Sequence, residues 1–193
     1  MADFSFEIPR DATRIWDLLV PIVVDKETDT IKIYLTNAIE EPLNYNEACY
    51  MLDTATKDTV VEIYLNTPGG VIDSAFMLAD AIKRTKATVK AYLSGTVASA
   101  GTLVTMVCDQ VEVSPHLSFM IHNYSGGMSG KGHEMKARQK FTDDHLNEAF
   151  KSFYSGFLTD EEMGRVIEGT DLWMNSTEVQ ERWNSRVDYL KGN

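Results

Sequence analysis

Ile31, Ile33 and Leu35 alternate with Lys32, Tyr34 and Thr36 in "TIKIYLT", and this two-residue period predicts a strand from Thr30 to Thr36. The period then lengthens. Ala48, Met51, Leu52 and Ala55 recur at helical spacing after "EEPLN", with Asn44 or Asn46 placed to cap that helix. The β-branched stretch "TVVEIYL" (Thr59 to Leu65) predicts a second strand, which Pro68, Gly69 and Gly70 of "NTPGG" bring to a stop. "DSAFMLADAIKRT" opens on Asp73 as a capping residue and sets Ala75, Leu78, Ala79 and Ile82 on one helical face. "ATVKAYL" (Ala87 to Leu93) is the next strand. Two successive strand, glycine-rich loop, helix units predict an α/β fold with parallel strands whose end loops face the same way.

Beyond these units the elements shorten. "DQVEVS" and "LSFMIHNY" predict short strands, and "SGGMSGKG" a mobile or extended glycine-rich segment. From about His133 to Phe157 the pattern is helical, with an imperfect apolar stripe of Met135, Phe141, Leu146, Ala149, Phe150 and Phe153. A turn at "LTDEE" opens a short helix to Ile167, and "TDLWMNSTEVQERW" reads as a strand followed by a capped helix.

Composition narrows the function. The 193 residues, 44% of them apolar, suffice for one domain with a sizeable core. A formal net charge of -11 argues against a nucleic-acid partner, which calls for a basic stripe. The first residues lack a basic start followed by a long apolar run, and no apolar stretch approaches the roughly 20 residues that span a bilayer. The expectation is a cytoplasmic protein with no membrane partner. Cys49 and Cys108 are single and distant, so neither a disulfide framework nor a zinc site is expected, and Cys108 reads as a small buried hydrophobe.

The stretch "SGTVASAG" (Ser94 to Gly101) places the Ser99 hydroxyl among residues with almost no side chain. A turn is one reading; a nucleophile on a tight bend, left open to an approaching carbonyl carbon, is the other. The α/β-hydrolase elbow is disfavoured because Val97 stands where its first glycine belongs. A P-loop fails as well, with Ser125 in place of the first glycine and Gly132 in place of the Ser or Thr after Lys131. Of His116, His122, His133 and His145, only His122 ends an apolar strand, "SFMIH", from which an imidazole can reach a cleft and act as a general base. His133 and His145 fall on the long helix as solvated or capping residues.

The segments "NTPGG", "GTVASAG", "SFMIHNYSGG" and "TDLWMNS", in this order and at these intervals, resemble the ClpP family, the proteolytic subunits of the caseinolytic (Clp) proteases. The similarity runs from about Ile31 to Tyr189, leaving residues 1–30 as a divergent N-terminal segment and residues 31–193 as a single domain. It implies a ClpP/crotonase-like spiral of ββα units with a protruding handle helix, the long helix from His133. By the family motifs Ser99 is the nucleophile, His122 the general acid and base, and Asp171, before Leu172, Trp173 and Met174, the acid that orients the imidazole. The oxyanion donors are the backbone N–H groups of Gly70 and Ala100; Ala100 stands where the family usually has Met, a change that spares the backbone donor. Gly126 and Gly127 belong to the glycine-rich strand that pairs with an extended substrate. Tyr124 and Ser125 replace the family's Pro-Leu there, altering the local pocket.

The same resemblance implies a serine endopeptidase without metal or cofactor, degrading unfolded polypeptides inside two stacked rings of seven copies. An ATP-driven unfoldase of the Clp type is the implied partner, with ATP hydrolysis in another chain. Three alternatives stay open at the level of sequence: a crotonase-like acyl-CoA enzyme that holds an enolate in the same paired N–H site, a non-catalytic ring subunit, and a Ser-Lys dyad using Lys90.

Overall fold

A computed structural model describes residues 20–192 of the chain. Seven strands among these residues form one sheet: β1 (Ile22–Asp25), β2 (Thr30–Leu35), β3 (Val60–Thr67), β4 (Thr88–Ala98), β5 (Gln110–Val113), β6 (Ser118–Ile121) and β7 (Leu172–Asn175). Strands β2, β3 and β4 are parallel neighbours, β4 also pairs in parallel with β5 and β6, and β1 and β7 close the two edges antiparallel. The helices are α1 (Asn46–Thr54), α2 (Ile72–Arg84), α3 (Ala100–Thr105), α4 (Gly132–Tyr154), α5 (Asp160–Ile167) and α6 (Ser176–Gly192). The α/β class and the long helix therefore hold. Of the segment set apart at residues 1–30, residues 1–19 lie outside the described residues.

Period-two alternation decides which face of the sheet is covered. Ile31, Ile33, Leu35, Val61, Ile63, Leu65, Val89, Ala91 and Leu93 point one way and are buried, joined by Ala75, Leu78 and Ile82 of α2 and Leu52 of α1. Truncating any one of the larger side chains to Ala costs roughly 2–5 kcal/mol. The opposite face carries Tyr34, Tyr64 and Tyr92 in direct register, their rings stacked at centroid spacings of 4.8 Å. Glu62 accepts hydrogen bonds from the hydroxyls of Tyr64 and Tyr92, giving that polar face a bonded ladder instead of a packed layer.

Two helix starts differ from the expected ones. Asn46 is the first residue of α1, and Tyr45, at the end of a 3-10 turn over Pro42–Tyr45, holds the N-cap position. Burial fixes it: Tyr45 sits in the core with its hydroxyl accepting the Glu40 N–H at 2.9 Å. Asp73 lies inside the first turn of α2 and Val71 is the cap, because the Val71 N–H is bound to the Ile39 carbonyl across an isolated bridge between Ile39 and Gly70. A tertiary contact overrides the local capping preference in both places.

Helix α4 behaves as two pieces. Leu146, Phe150 and Tyr154 are buried, whereas residues 131–141 are exposed save half-buried Met135, and Phe141 is 69% exposed. The imperfect apolar stripe thus follows a helix that packs at its C-terminal end and protrudes at the other. No helix among the described residues is long and apolar enough to cross a membrane.

Candidate active site

Small residues surround Ser99 because three backbone segments converge there. β4 ends at Ala98, whose partner across the sheet is Met120 of β6, and the Ser99 N–H donates to the Met120 carbonyl at 2.9 Å. Ser99 then takes φ 52 and ψ −125, a conformation that costs an ordinary residue roughly 1–3 kcal/mol and that clusters at functional sites. Helix α3 starts immediately afterwards. A Cβ on Gly101 would stand 2.5 Å from Thr67 Cγ2, so α3 closes on β3 only with glycine there. The Ser99 carbonyl is held in turn by the Thr102 N–H at 2.9 Å and the Thr102 hydroxyl at 2.6 Å.

The glycine loop after β3 packs against the same bend. Gly69, at φ +94, has Ser99 Cβ, the Ala98 carbonyl and the Ala100 nitrogen where a side chain would begin. The Gly69 N–H is fixed by the Thr67 hydroxyl at 3.1 Å. In the parallel bridge with Ile39, the Ile39 N–H binds the Gly69 carbonyl and the Val71 N–H binds the Ile39 carbonyl, both at 2.8 Å. That pattern leaves the N–H of Gly70 itself facing away from Ile39, and Gly70 lines the same cavity as Ser99. Ala100 is the first residue of α3, and the first N–H groups of a helix have no acceptor within it. Two main-chain donors thus border the serine.

His122 directly follows β6, and the register that sets Ala98 against Met120 brings its ring to Ser99. His122 Nε2 lies 2.7 Å from Ser99 Oγ, within the range of a strong hydrogen bond. Both line a cavity of about 450 Å³ together with Gly70, Ala100, Leu103 and Tyr124, with Phe150 and Tyr154 at its α4 side. The other histidines are elsewhere: His116 and His133 are exposed, and His145 stacks on Phe141 at 5.7 Å.

Asp171 occupies a telling position without a bond. β6 and β7 run antiparallel with Ile121 opposite Leu172, so one step further along the same register sets His122 opposite Asp171. Asp171 is exposed, and among the described residues its carboxylate has no hydrogen-bond or ion-pair partner. The structure brings Ser99 and His122 together, and it leaves Asp171 beside them in register but not in contact. Gly126 and Gly127 are exposed, unpaired to any strand, and have no atom within 4 Å of an added Cβ. Lys90 is committed elsewhere: its ammonium meets Glu112 at 2.8 Å and lies over the Tyr92 ring, nine strand residues upstream of Ser99, a run of roughly 30 Å at strand rise. Lys90 is also absent from the lining of the cavity that Ser99 and His122 share, which argues against the Ser-Lys alternative. No group of three or more His, Cys, Asp or Glu side chains among the described residues is arranged to hold a metal.

Two further features escape local sequence signals. The Thr102 hydroxyl meets the buried Tyr154 hydroxyl of α4 at 2.6 Å, and burial pushes that phenol's pKa up. Tyr124, on the other side of the dyad, donates its hydroxyl to Asp143 of α4. Both pairings join residues far apart in the chain.

Comparison with known proteins gives a consistent picture. The model of the Clp protease family matches residues 22–182. The ATP-dependent Clp protease proteolytic subunit of Paracoccus denitrificans is 28% identical over 156 residues, which cover 77% of this chain and 76% of that protein. Proteolytic subunit 3 of Rhizobium meliloti is 29% identical over 132 residues, 65% of this chain and 66% of that protein. Proteolytic subunit 2 of Pseudomonas aeruginosa is 30% identical over 103 residues, 51% of each.

Proposed function

The chain belongs to the Clp protease family, and from that premise we propose that it is a serine-type endopeptidase in which Ser99 and His122 carry the chemistry. The observation that supports this most is the 2.7 Å separation of Ser99 Oγ and His122 Nε2 at a positive-φ bend. His122 takes the hydroxyl proton as Ser99 attacks the peptide carbonyl, and returns it to the leaving amine. The acyl-enzyme left on Ser99 is then hydrolysed by water activated by the same imidazole. Gly70 and Ala100 donate their N–H groups to the oxyanion, each such donor worth about 3–4 kcal/mol of transition-state stabilisation. Asp171 swings onto His122 from its register position, orienting the ring and stabilising the imidazolium.

Gly126 and Gly127 offer unpaired backbone to an extended peptide, a mode of binding that tolerates many sequences. Substrates are then unfolded polypeptides. The relatives are named as subunits of ATP-dependent proteases, and this chain is accordingly proposed to assemble into stacked rings and to receive substrate from an ATP-driven unfoldase.

The test is peptide hydrolysis by the wild type beside Ser99→Ala, with particle mass measured in the same solutions. Hydrolysis by a ring-sized particle, lost in Ser99→Ala, is expected. A monomer without serine reactivity overturns the reading, and turnover of a CoA thioester that survives Ser99→Ala replaces it with the crotonase-like alternative.

A further inference from the structure

Helix α4 is hydrogen-bonded to the segments that follow Ser99 and His122, to Thr102 on one side and to Tyr124 on the other, through one tyrosine hydroxyl each. On the serine side, Tyr154 near the end of α4 meets the Thr102 hydroxyl, which itself donates to the Ser99 carbonyl. On the histidine side, Tyr124 lies two residues after His122, lines the cavity, and donates its hydroxyl to Asp143 Oδ1. Gln139, one turn earlier on α4, donates from Nε2 both to the Tyr124 hydroxyl and, at 2.8 Å, to Asp143 Oδ1. The three side chains close a ring of hydrogen bonds. The residue between His122 and Tyr124 is braced too: Asn123 donates from Nδ2 to the Ile167 carbonyl at the end of α5 at 2.9 Å and accepts the Tyr124 N–H at 2.8 Å.

These bonds act on a segment with little else to hold it. After β6 the chain has no ladder partner until α4 begins, and Gly126 and Gly127 are exposed, with nothing within 4 Å of a Cβ added at either. His122 is anchored on its N-terminal side by fully buried Ile121 and on its C-terminal side by Asn123 and Tyr124. Bonds to a carboxylate are the stronger kind, so the Tyr124–Asp143 pair dominates this clasp.

Building on the serine-peptidase reading, we propose that Tyr124 is a positioning residue: its clasp to Asp143 and Gln139 sets the place of His122 relative to Ser99. Tyr124 acts here through the His122 segment. Asp143 does not line the cavity, which separates this role from direct contact with substrate.

Kinetics of Tyr124→Phe, Asp143→Ala, Asp143→Asn and the Tyr124→Phe/Asp143→Ala double variant test the proposal, with fluorophosphonate labelling of each and of Ser99→Ala. Tyr124→Phe keeps the ring and Asp143→Asn keeps an acceptor for the phenol. The expected result is a fall in kcat and in labelling rate on the order of tenfold or more for Tyr124→Phe and Asp143→Ala, with KM changed by less than about twofold. Asp143→Asn recovers most of the rate, and the double variant is no worse than either single one, as for two residues acting through one bond. Wild-type labelling rates in Tyr124→Phe and Asp143→Ala, or losses that add in the double variant, overturn the proposal. A wild type that is not labelled at all, or is labelled equally in Ser99→Ala, overturns the peptidase reading itself.

Discussion

Replacing Gly69 by Ala probes the construction of the site without touching a reacting group. The new Cβ would stand 2.6 Å from Ser99 Cβ, 2.7 Å from the Ala98 carbonyl oxygen and 3.0 Å from the Ala100 nitrogen. Carbon atoms pack at about 3.5–4.0 Å, so the loop and the bend at Ser99 must separate by about 1 Å. Gly69 also sits at φ +94, which L side chains rarely adopt. Backbone strain there costs roughly 1–3 kcal/mol, and overpacking costs a similar 1–3 kcal/mol. Together they predict a loss of about 2–6 kcal/mol, or a fall in Tm of about 4–24 °C at about 2–4 °C per kcal/mol for a chain of this size. A displacement of about 1 Å at Ser99, the proposed nucleophile, is expected to lower the rate about a hundredfold. Thermal melting at fixed protein concentration and fluorophosphonate labelling measure the two effects. Gly164→Ala is the control: it sits in α5 with nothing within 4 Å of an added Cβ, and is expected to stabilise by about 0.5–1 kcal/mol. Wild-type melting and labelling in Gly69→Ala would refute the claim that the left-handed loop is packed against the serine.

Two other outcomes follow from charged groups. Hydrogen bonds from Arg182, with help from the Thr159 cap, hold the Glu162 carboxyl down at about 2 from its ordinary 4.5. The folded pKa is the lower one, so this contribution to stability is complete above pH 4.5 and drains away as pH falls toward 2; Glu162→Gln is expected to melt below the wild type at pH 6, with the gap closing in melts run progressively below pH 4.5. Asp171→Asn is expected to cut kcat by up to about 10⁴-fold, and unchanged kcat would overturn the proposed role of Asp171 and leave a two-residue dyad.

The parallel core was legible because its cause is local. Alternating apolar residues in β2, β3 and β4 report burial on one face, and Pro68, Gly69 and Gly70 mark the end of β3, whereas β4 runs on through Gly95 to Ala98, past the expected end at Leu93. The N-caps were not legible, since Tyr45 and Val71 are placed by burial and by the Ile39–Gly70 bridge, neither of which Asn46 or Asp73 can signal. Ser99 and His122 could be singled out one at a time, by small neighbours and by a strand end. Their meeting depends on β6 lying beside β4, a pairing outside any local pattern. The Tyr124–Asp143 and Thr102–Tyr154 pairs are less legible still, because a tyrosine hydroxyl and its partner 19 or 52 residues away leave no periodic trace.

The account rests on Ser99 being made nucleophilic by His122. Reaction of the assembled wild-type protein with a fluorophosphonate, followed by digestion and peptide mass mapping, tests it most directly. A single adduct on the peptide bearing Ser99, absent in Ser99→Ala and slowed at least a hundredfold in His122→Ala, is the predicted result. An adduct on another residue, or one on Ser99 that forms at the same rate without the imidazole, would contradict it.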